Sequence, residues 1–315
     1  MISFIVIGRN EGWRLEKCFK GIYNFVDEEK ITDYEVIYVD SRSTDDSIEL
    51  SKQYGNTKTI LITGECNAAI ARNIGAKEAS GDFFFFLDGD MELIPGFWSE
   101  VIKDGKMVYP FLSGIEKDVM FDGNWEYQYT RVRRKFTVGV DRYEVTTGGL
   151  FMVKKELWYK TGAMDDRLKR CQDLDFGFRM TKLGYKLCRK PLFWVNHYTR
   201  DYEVRTDQSS FLKYTALLLR KHFFNLSAQK FLLGPNYTVW TFVLCVILSF
   251  AFHSLLPYVL YLLALGYRTF RAYQRNRDLV NPFIIFVNLV KFDFLFIYYF
   301  ITFWPRDSRI GYKVL

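Results

Sequence analysis

Phe83-Phe84-Phe85-Phe86-Leu87 runs directly into Asp88-Gly89-Asp90-Met91-Glu92. A short unbroken apolar run bounded by turn residues reads as a strand buried on both faces, as in parallel sheets covered by helices. Side chains leaving a strand alternate with period two, so Asp88 and Asp90 face the same way. Paired carboxylates are hard oxygen ligands that suit Mg²⁺ or Mn²⁺, with phosphate oxygens and water completing the shell. Gly89 between them lets a diphosphate approach the backbone. A solvated turn is the competing reading, since Asp and Gly are common turn residues. The position after a buried strand favours the metal.

Upstream, short apolar runs alternate with helical spacing. Residues 2–7 form a strand rather than a signal peptide, because the run is too short and no basic residues precede it. Gly8-Arg9-Asn10-Glu11-Gly12 is its turn, and Leu15, Cys18, Phe19 and Ile22 give residues 13–25 a helical face. A second strand over 34–39 closes in Asp40, residues 48–54 are helical, 59–62 are strand, and 68–79 form a helix that Gly81 ends. This alternation predicts parallel βαβ units with ligands at the carboxyl ends of the strands.

Downstream, residues 101–145 read as mixed strands and loops. Gly148-Gly149 precedes a strand over 150–153 and a helix near 155–160, followed by a helix over 173–183, a strand at 186–188 and a short run to His197. Residues 211–224 are amphipathic, with Leu212, Ala216, Leu217 and Leu219 against Lys213, Arg220 and Lys221.

Composition narrows the class. With 49% hydrophobic and 25% charged residues the 315-residue chain is neither disordered nor fibrous. Five scattered cysteines without a C-x-x-C pair predict reduced thiols rather than a disulfide framework or zinc site. The net charge of +7 is concentrated in the last 79 residues, where basic residues outnumber acids by five. Basic charge beside an apolar tail points to an anionic membrane surface, and no nucleic-acid motif is present. Residues 237–266 contain no formal charge, and 282–304 contain only Lys291 and Asp293. Either segment is long enough for a hydrocarbon core of about 30 Å. A buried helical subdomain is the alternative. If each segment crosses once, the basic loop at 268–277 lies opposite the N-terminal domain, against the positive-inside tendency. A hairpin bent at Pro257 keeps it on the same side.

Five spaced motifs, in order, make residues 2–197 resemble the inverting family 2 glycosyltransferases. They are Val6-Ile7-Gly8-Arg9-Asn10-Glu11, Val39-Asp40-Ser41-Arg42-Ser43-Thr44-Asp45, Ala71-Arg72-Asn73-Ile74-Gly75, the Leu87–Asp90 run, and Gln172-Asp173-Leu174-Asp175 with Arg179. The resemblance implies a GT-A-type, Rossmann-like α/β/α sandwich with a mostly parallel mixed sheet over residues 1–204. An amphipathic interfacial connector (205–236) and hydrophobic membrane-associated helices (237–315) follow. It implies that Asp40 accepts hydrogen bonds from the nucleotide base, that Gly8, Arg9 and Glu11 line the same pocket, and that Arg72 faces the nucleotide or its phosphates. Asp88 touches ribose or metal, Asp90 is the principal metal ligand, and His197 is either a further ligand or structural. Asp173 is the base that deprotonates the acceptor hydroxyl. Gln172 stands where the family carries Glu, so an acceptor contact by that first acid is in doubt. Asp175 and Arg179 organise the loop or grip phosphate, and Gly148 and Gly149 support the acceptor side.

The expected reaction is transfer of a single sugar, because the Q-x-x-R-W signature of processive synthases is absent. The expected donor is a UDP-sugar, with GDP- or dTDP-sugars as alternatives, and the expected metal is Mn²⁺ or Mg²⁺. A membrane-attached tail favours a lipid-linked saccharide acceptor at the cytoplasmic face of the cell membrane, in surface-polysaccharide or glycolipid assembly. A polyprenyl-phosphate glycosyl synthase is the close alternative. A nucleotidyltransferase lacks support in the glycine-poor first loop, and a non-catalytic scaffold is opposed by Asp88, Asp90 and Asp173.

Overall fold

The alternation of strands and helices builds one mixed sheet in the computed structural model, which describes residues 1–133, 137–200, 208–275 and 281–315. The chain divides into two units, residues 1–205 with 306–315, and residues 206–305. In the first, β1 (Ile2–Gly8), α1 (Trp13–Glu28), β2 (Tyr34–Asp40), α2 (Ser47–Gln53), β3 (Thr57–Ile62), α3 (Ala68–Glu78) and β4 (Phe83–Asp88) follow one another as βα units. β1 pairs in parallel with β2 and β4, and β2 with β3. Then come β5 (Met91–Leu93), α4 (Trp98–Val101), the two-residue strands β6 (Ile102–Lys103) and β7 (Lys106–Met107), β8 (Phe111–Phe121), β9 (Tyr127–Val132), β10 (Arg142–Glu144) and β11 (Phe151–Lys154). After α5 (Lys155–Lys160) and α6 (Gln172–Lys182), the long β12 (Leu187–Arg200) runs parallel to β8. Among the described residues the main path is β10-β12-β8-β11-β4-β1-β2-β3, closed at the far edge by β13 (Tyr312–Val314), antiparallel to β3.

The four phenylalanines explain why this sheet has a core on each face. Phe83 and Phe85 join the cluster with Phe4, Phe19, Phe25 and Trp194. Phe84 and Phe86 point the other way, to Ile74, Phe151, Trp158 and Phe176. Period-two alternation thus sends one strand into both cores. The sandwich expected from the sequence is present, with parallel pairing in the β4-β1-β2-β3 half and antiparallel pairing around β11.

Two expectations change. The segment read as a strand at 186–188 and a short run to His197 is a single 14-residue strand. Its register shifts between Arg189 and Val195, around Pro191, which has no N–H for a ladder bond. The last ten residues, assigned from sequence to the hydrophobic tail, return to the first unit's sheet as its edge strand.

The second unit is helical: α7 (Gln208–Lys221), α8 (Leu226–Leu233), α9 (Tyr237–Phe252), α10 (Tyr258–Arg275) and α11 (Pro282–Thr302). α7 buries Leu212, Ala216, Leu217 and Leu219, the face expected from its spacing, and Arg220 donates to the Phe300 and Phe303 carbonyls at the end of α11. The uncharged stretch 237–266 is not one long helix. His253 adopts the left-handed conformation at the end of α9, and α10 begins after Pro257. The basic stretch read as a loop is helical as far as Arg275, and 276–280 lie outside the described residues. Among the described residues α11 alone is a single helix long and apolar enough to cross a membrane; α8 and α9, bent by 98°, make a second if counted as one broken span.

Candidate active site

Three strand ends lie side by side. In the parallel ladder Gly8 is opposite Asp40 and Ile7 is opposite Asp88, so the β1, β2 and β4 turns open on one edge. There a cavity of about 370 Å³ is lined by Gly8, Arg9, Glu11, Ser41, Asn67, Asp88 and Asp90. A larger cavity of about 500 Å³ opens at the opposite, amino end of β4, around Asp82, Phe83, Lys154 and Lys155. Size does not identify the site. The carboxyl-edge cavity gathers residues from three of the five motifs, and general acid–base and metal chemistry needs such groups.

Around that cavity the charges alternate. Arg14 Nη2 lies 2.7 Å from Glu11 Oε2, and Arg14 Nη1 lies 3.6 Å from Asp90 Oδ2. His197 Nε2 is 3.4 Å from the same Asp90 oxygen, while its Nδ1 is 2.8 Å from Asp118 Oδ1. Arg131 Nε in turn reaches Asp118 Oδ2 at 3.2 Å. β12 makes this possible, because His197 sits opposite Asp118 of β8 and Met91 of β5. Burial alone opposes a charged imidazole, yet hydrogen bonds to Asp118 and Asp90 outweigh it and push the His197 pKa up to about 10. Glu11 moves to about 7, chiefly through burial and then through the Asp90 charge, with Arg14 opposing. Asp90 Oδ1 is buried and has no hydrogen-bond partner.

That orphaned oxygen is the feature that fits a cation. Among the described residues no three His, Cys, Asp or Glu side chains converge as a metal-holding group. A divalent ion at Asp90 would therefore take most of its ligands from a diphosphate and water, as Mg²⁺ commonly does.

Other expected residues occupy different positions. Asp40 is fully buried; Tyr38 donates its hydroxyl to Oδ2 at 2.9 Å and the Ser43 N–H donates to Oδ1 at 2.7 Å. Each oxygen thus accepts one bond, one from β2 itself and one from the turn after it. Arg72 is buried and pairs with Asp88 Oδ1 at 2.5 Å, so it sets the orientation of that acid. Gly89 donates to the Ile7 carbonyl at 2.8 Å, and a Cβ there would press on the Glu11 side chain. Asp175 and Arg179 pair at 2.9 Å, and Arg179 also donates to the Thr161 carbonyl at the end of α5. They tie α6 to its neighbour and lie outside the cavity lining.

Asp173 is held separately. Thr146 donates its hydroxyl to Asp173 Oδ2 at 2.5 Å. Cys171, two residues earlier, has φ of 61°, a left-handed conformation that non-glycine residues rarely adopt outside special sites. Gln172 opens α6, half-buried. Three residues after Thr146 comes Gly149, where a Cβ would lie inside van der Waals contact of the Asp88 carboxylate; Gly148 before it has φ of 66°. Three residues reach at most about 10 Å. The 146–149 segment thereby links the Asp173 carboxylate to the rim of the acidic cavity. Sequence reading missed Arg14, Asp118 and Thr146. Arg14 had a signal in its i,i+3 spacing from Glu11, whereas Asp118 and Thr146 become partners only through the sheet.

The family model described as Glycosyl transferase family 2 matches residues 3–106. Over 320 residues the chain is 23% identical to a dolichyl N-acetyl-alpha-D-glucosaminyl phosphate 3-beta-D-2,3-diacetamido-2,3-dideoxy-beta-D-glucuronosyltransferase of Methanococcus voltae, covering 91% of this chain and 92% of that protein. It is 25% identical over 222 residues to an uncharacterized glycosyltransferase of Haemophilus influenzae, covering 67% of this chain and 73% of that one. Among solved structures, S. aureus TarS superposes with a TM-score of 0.46 at 15% identity, covering 69% of this chain and 38% of that chain.

Proposed function

We propose, from the match of residues 3–106 to the Glycosyl transferase family 2 model, that this chain is a glycosyltransferase that moves one sugar from a nucleotide-sugar to a lipid-linked saccharide. The observation that carries the reading is the joining of two acids through one segment: Thr146 holds Asp173, and Gly149 abuts Asp88 at the cavity. Asp173 accepts the proton of an acceptor hydroxyl as that oxygen attacks the anomeric carbon. The new carbon–oxygen bond forms on the face opposite the leaving group, and the bond to the diphosphate breaks with its electron pair on the departing nucleotide. Configuration at the anomeric carbon is inverted. Mg²⁺ or Mn²⁺ at Asp90, when bound, supplies charge neutralisation for that leaving group. Glu11 and Arg14 line or flank the diphosphate end, and Arg72 keeps Asp88 in place. A UDP-sugar is the proposed donor.

The acceptor class is supported by the near-full-length likeness to the Methanococcus voltae enzyme, whose name includes a dolichyl-linked sugar phosphate. The 21-residue apolar helix α11 supports attachment to the cell membrane, and we place the catalytic unit on its cytoplasmic face. The test is donor binding to the full chain across UDP-, GDP- and dTDP-sugars, with and without Mn²⁺, followed by transfer to a polyprenyl-linked saccharide. Asp173→Asn should bind donor normally and lose about 10²–10⁴-fold in transfer. Near-wild-type turnover by this variant would remove Asp173 as the base. A glycosylated polyprenyl phosphate formed from the unsubstituted phosphate would identify the phosphate itself as the acceptor.

A further inference from the structure

A third cavity, of about 420 Å³, lies wholly within the helical unit, where Gly234 and Pro235 form the bend before α9. Tyr237, Tyr267, Arg268 and Arg271 line it. Its electrostatics are set by a polar cluster that apolar helices would not keep without reason, because ionisable residues in such surroundings are costly. Asp293 of α11 is 1% exposed and receives hydrogen bonds from Thr238 at 3.0 Å, Tyr261 at 3.3 Å and Arg268 at 3.1 Å. That carboxylate is satisfied and Arg268 is neutralised by it. One turn on, Arg271 is exposed and contacts the Tyr267 hydroxyl at 3.4 Å and the same ring face at 6.0 Å. No acid is recorded as its partner among the described residues. The cavity thus presents one guanidinium in excess, backed by a second held rigidly by Asp293.

We infer that this cavity binds the phosphate of an amphiphilic substrate, the phosphate or diphosphate that joins the acceptor saccharide to its lipid. Guanidinium groups match phosphate oxygens bidentately, and a fixed neighbouring arginine lowers the cost of ordering the site. Two tyrosines and the apolar wall suit the first carbons of a lipid chain. The outer faces of α9 and α10 expose Phe250, Leu260 and Leu263, which gives such a chain an apolar path away from the cavity. The inference rests on the proposed function only in naming the lipid-linked saccharide. Membrane phospholipid offers the same phosphate chemistry, so the test must separate the two sources.

The experiment measures binding of a polyprenyl phosphate to the full chain in neutral detergent, with the matched polyprenol as control and phosphatidylglycerol as competitor. Polyprenyl phosphate should bind about tenfold or more tightly than polyprenol, and Arg271→Gln should remove most of that difference, with Arg271→Lys intermediate. Arg271 is exposed, so the variant is expected to fold, and unchanged donor binding in the same sample confirms it. Equal affinity for polyprenol, or wild-type binding by Arg271→Gln, would overturn the inference. Competition by phosphatidylglycerol at equal strength would overturn the assignment to the substrate lipid. If polyprenyl phosphate binds through Arg271 but no sugar reaches any lipid acceptor, the cavity assignment stands and the proposed function fails.

Discussion

At Asp173 a single hydroxyl decides how the carboxylate is presented. The Thr146 hydrogen bond at 2.5 Å engages one oxygen of the carboxylate that the proposed mechanism uses as its base. Thr146→Val should therefore lower kcat roughly tenfold with donor Kd unchanged, since it loosens the proposed base rather than the nucleotide pocket. A weakened donor Kd would instead assign Thr146 to donor binding. Glu11 gives a pH signature in the free protein. Its folded-state pKa of about 7 lies above the ordinary value of 4.5, because burial and the Asp90 charge disfavour ionisation. The folded state then binds the proton more tightly than the unfolded state. Its contribution to stability is complete below pH 4.5 and is lost as pH rises through 7. Denaturation midpoints of the nucleotide-free protein should fall across that window, and Glu11→Gln should flatten the decline. An identical slope in the variant would locate the titration elsewhere. The five sequence motifs identified most of these residues, but not their pairings. The resemblance makes Asp40 a base-binding acid, and only the fold shows that Tyr38 and Ser43 each donate to one of its oxygens.

Among the elements, β4 is the most legible and β12 the least. Four consecutive phenylalanines admit no amphipathic helix, and their alternation feeds both cores. Phe86 packs against Phe151 and Trp158, each with ring centroids 4.7 Å apart. Phe86→Ala should cost about 3–5 kcal/mol, measured by chemical denaturation, with a cavity left beside Trp158. A loss below about 1 kcal/mol would mean that the neighbours collapse into the space. β12 reads from sequence as two short pieces because Pro191 and the charged residues Arg189 and Lys190 interrupt its apolar pattern. The structure accommodates them through a register shift and through buried bonds, with Arg189 donating to Ser113, to the Gly114 carbonyl and to Glu144. Such partners come from strands distant in sequence, and no local pattern announces them. The long β12 is also what carries His197 to Asp90.

At the scale of the whole molecule, the chain leaves the sheet after β12, forms five helices among the described residues and returns to the sheet as β13. Leu315 donates to the Thr59 carbonyl, and Tyr312 donates to Glu78 at 2.8 Å. Deleting residues 306–315 should lower the melting temperature of the catalytic unit by several degrees and promote association, because β3 becomes an exposed edge. An unchanged melting temperature and monodisperse profile would show that β13 is dispensable. The same reasoning means that truncation near Leu233 removes an edge strand together with the apolar helices, so lost activity could not be ascribed to the helices alone. Residue order by itself determined the βα succession, the buried β4 with its two acids, the faces of α1 and α7, and the glycosyltransferase resemblance. Each of these is written in local periodicity or short spacing, where side-chain direction follows from backbone geometry. Tertiary structure decided which acids are paired and which remain open, that Thr146 serves Asp173, that 237–266 breaks into two helices, and that the last strand belongs to the first unit. Those outcomes depend on contacts between residues far apart in the chain, and such contacts exist only once the sheet has closed.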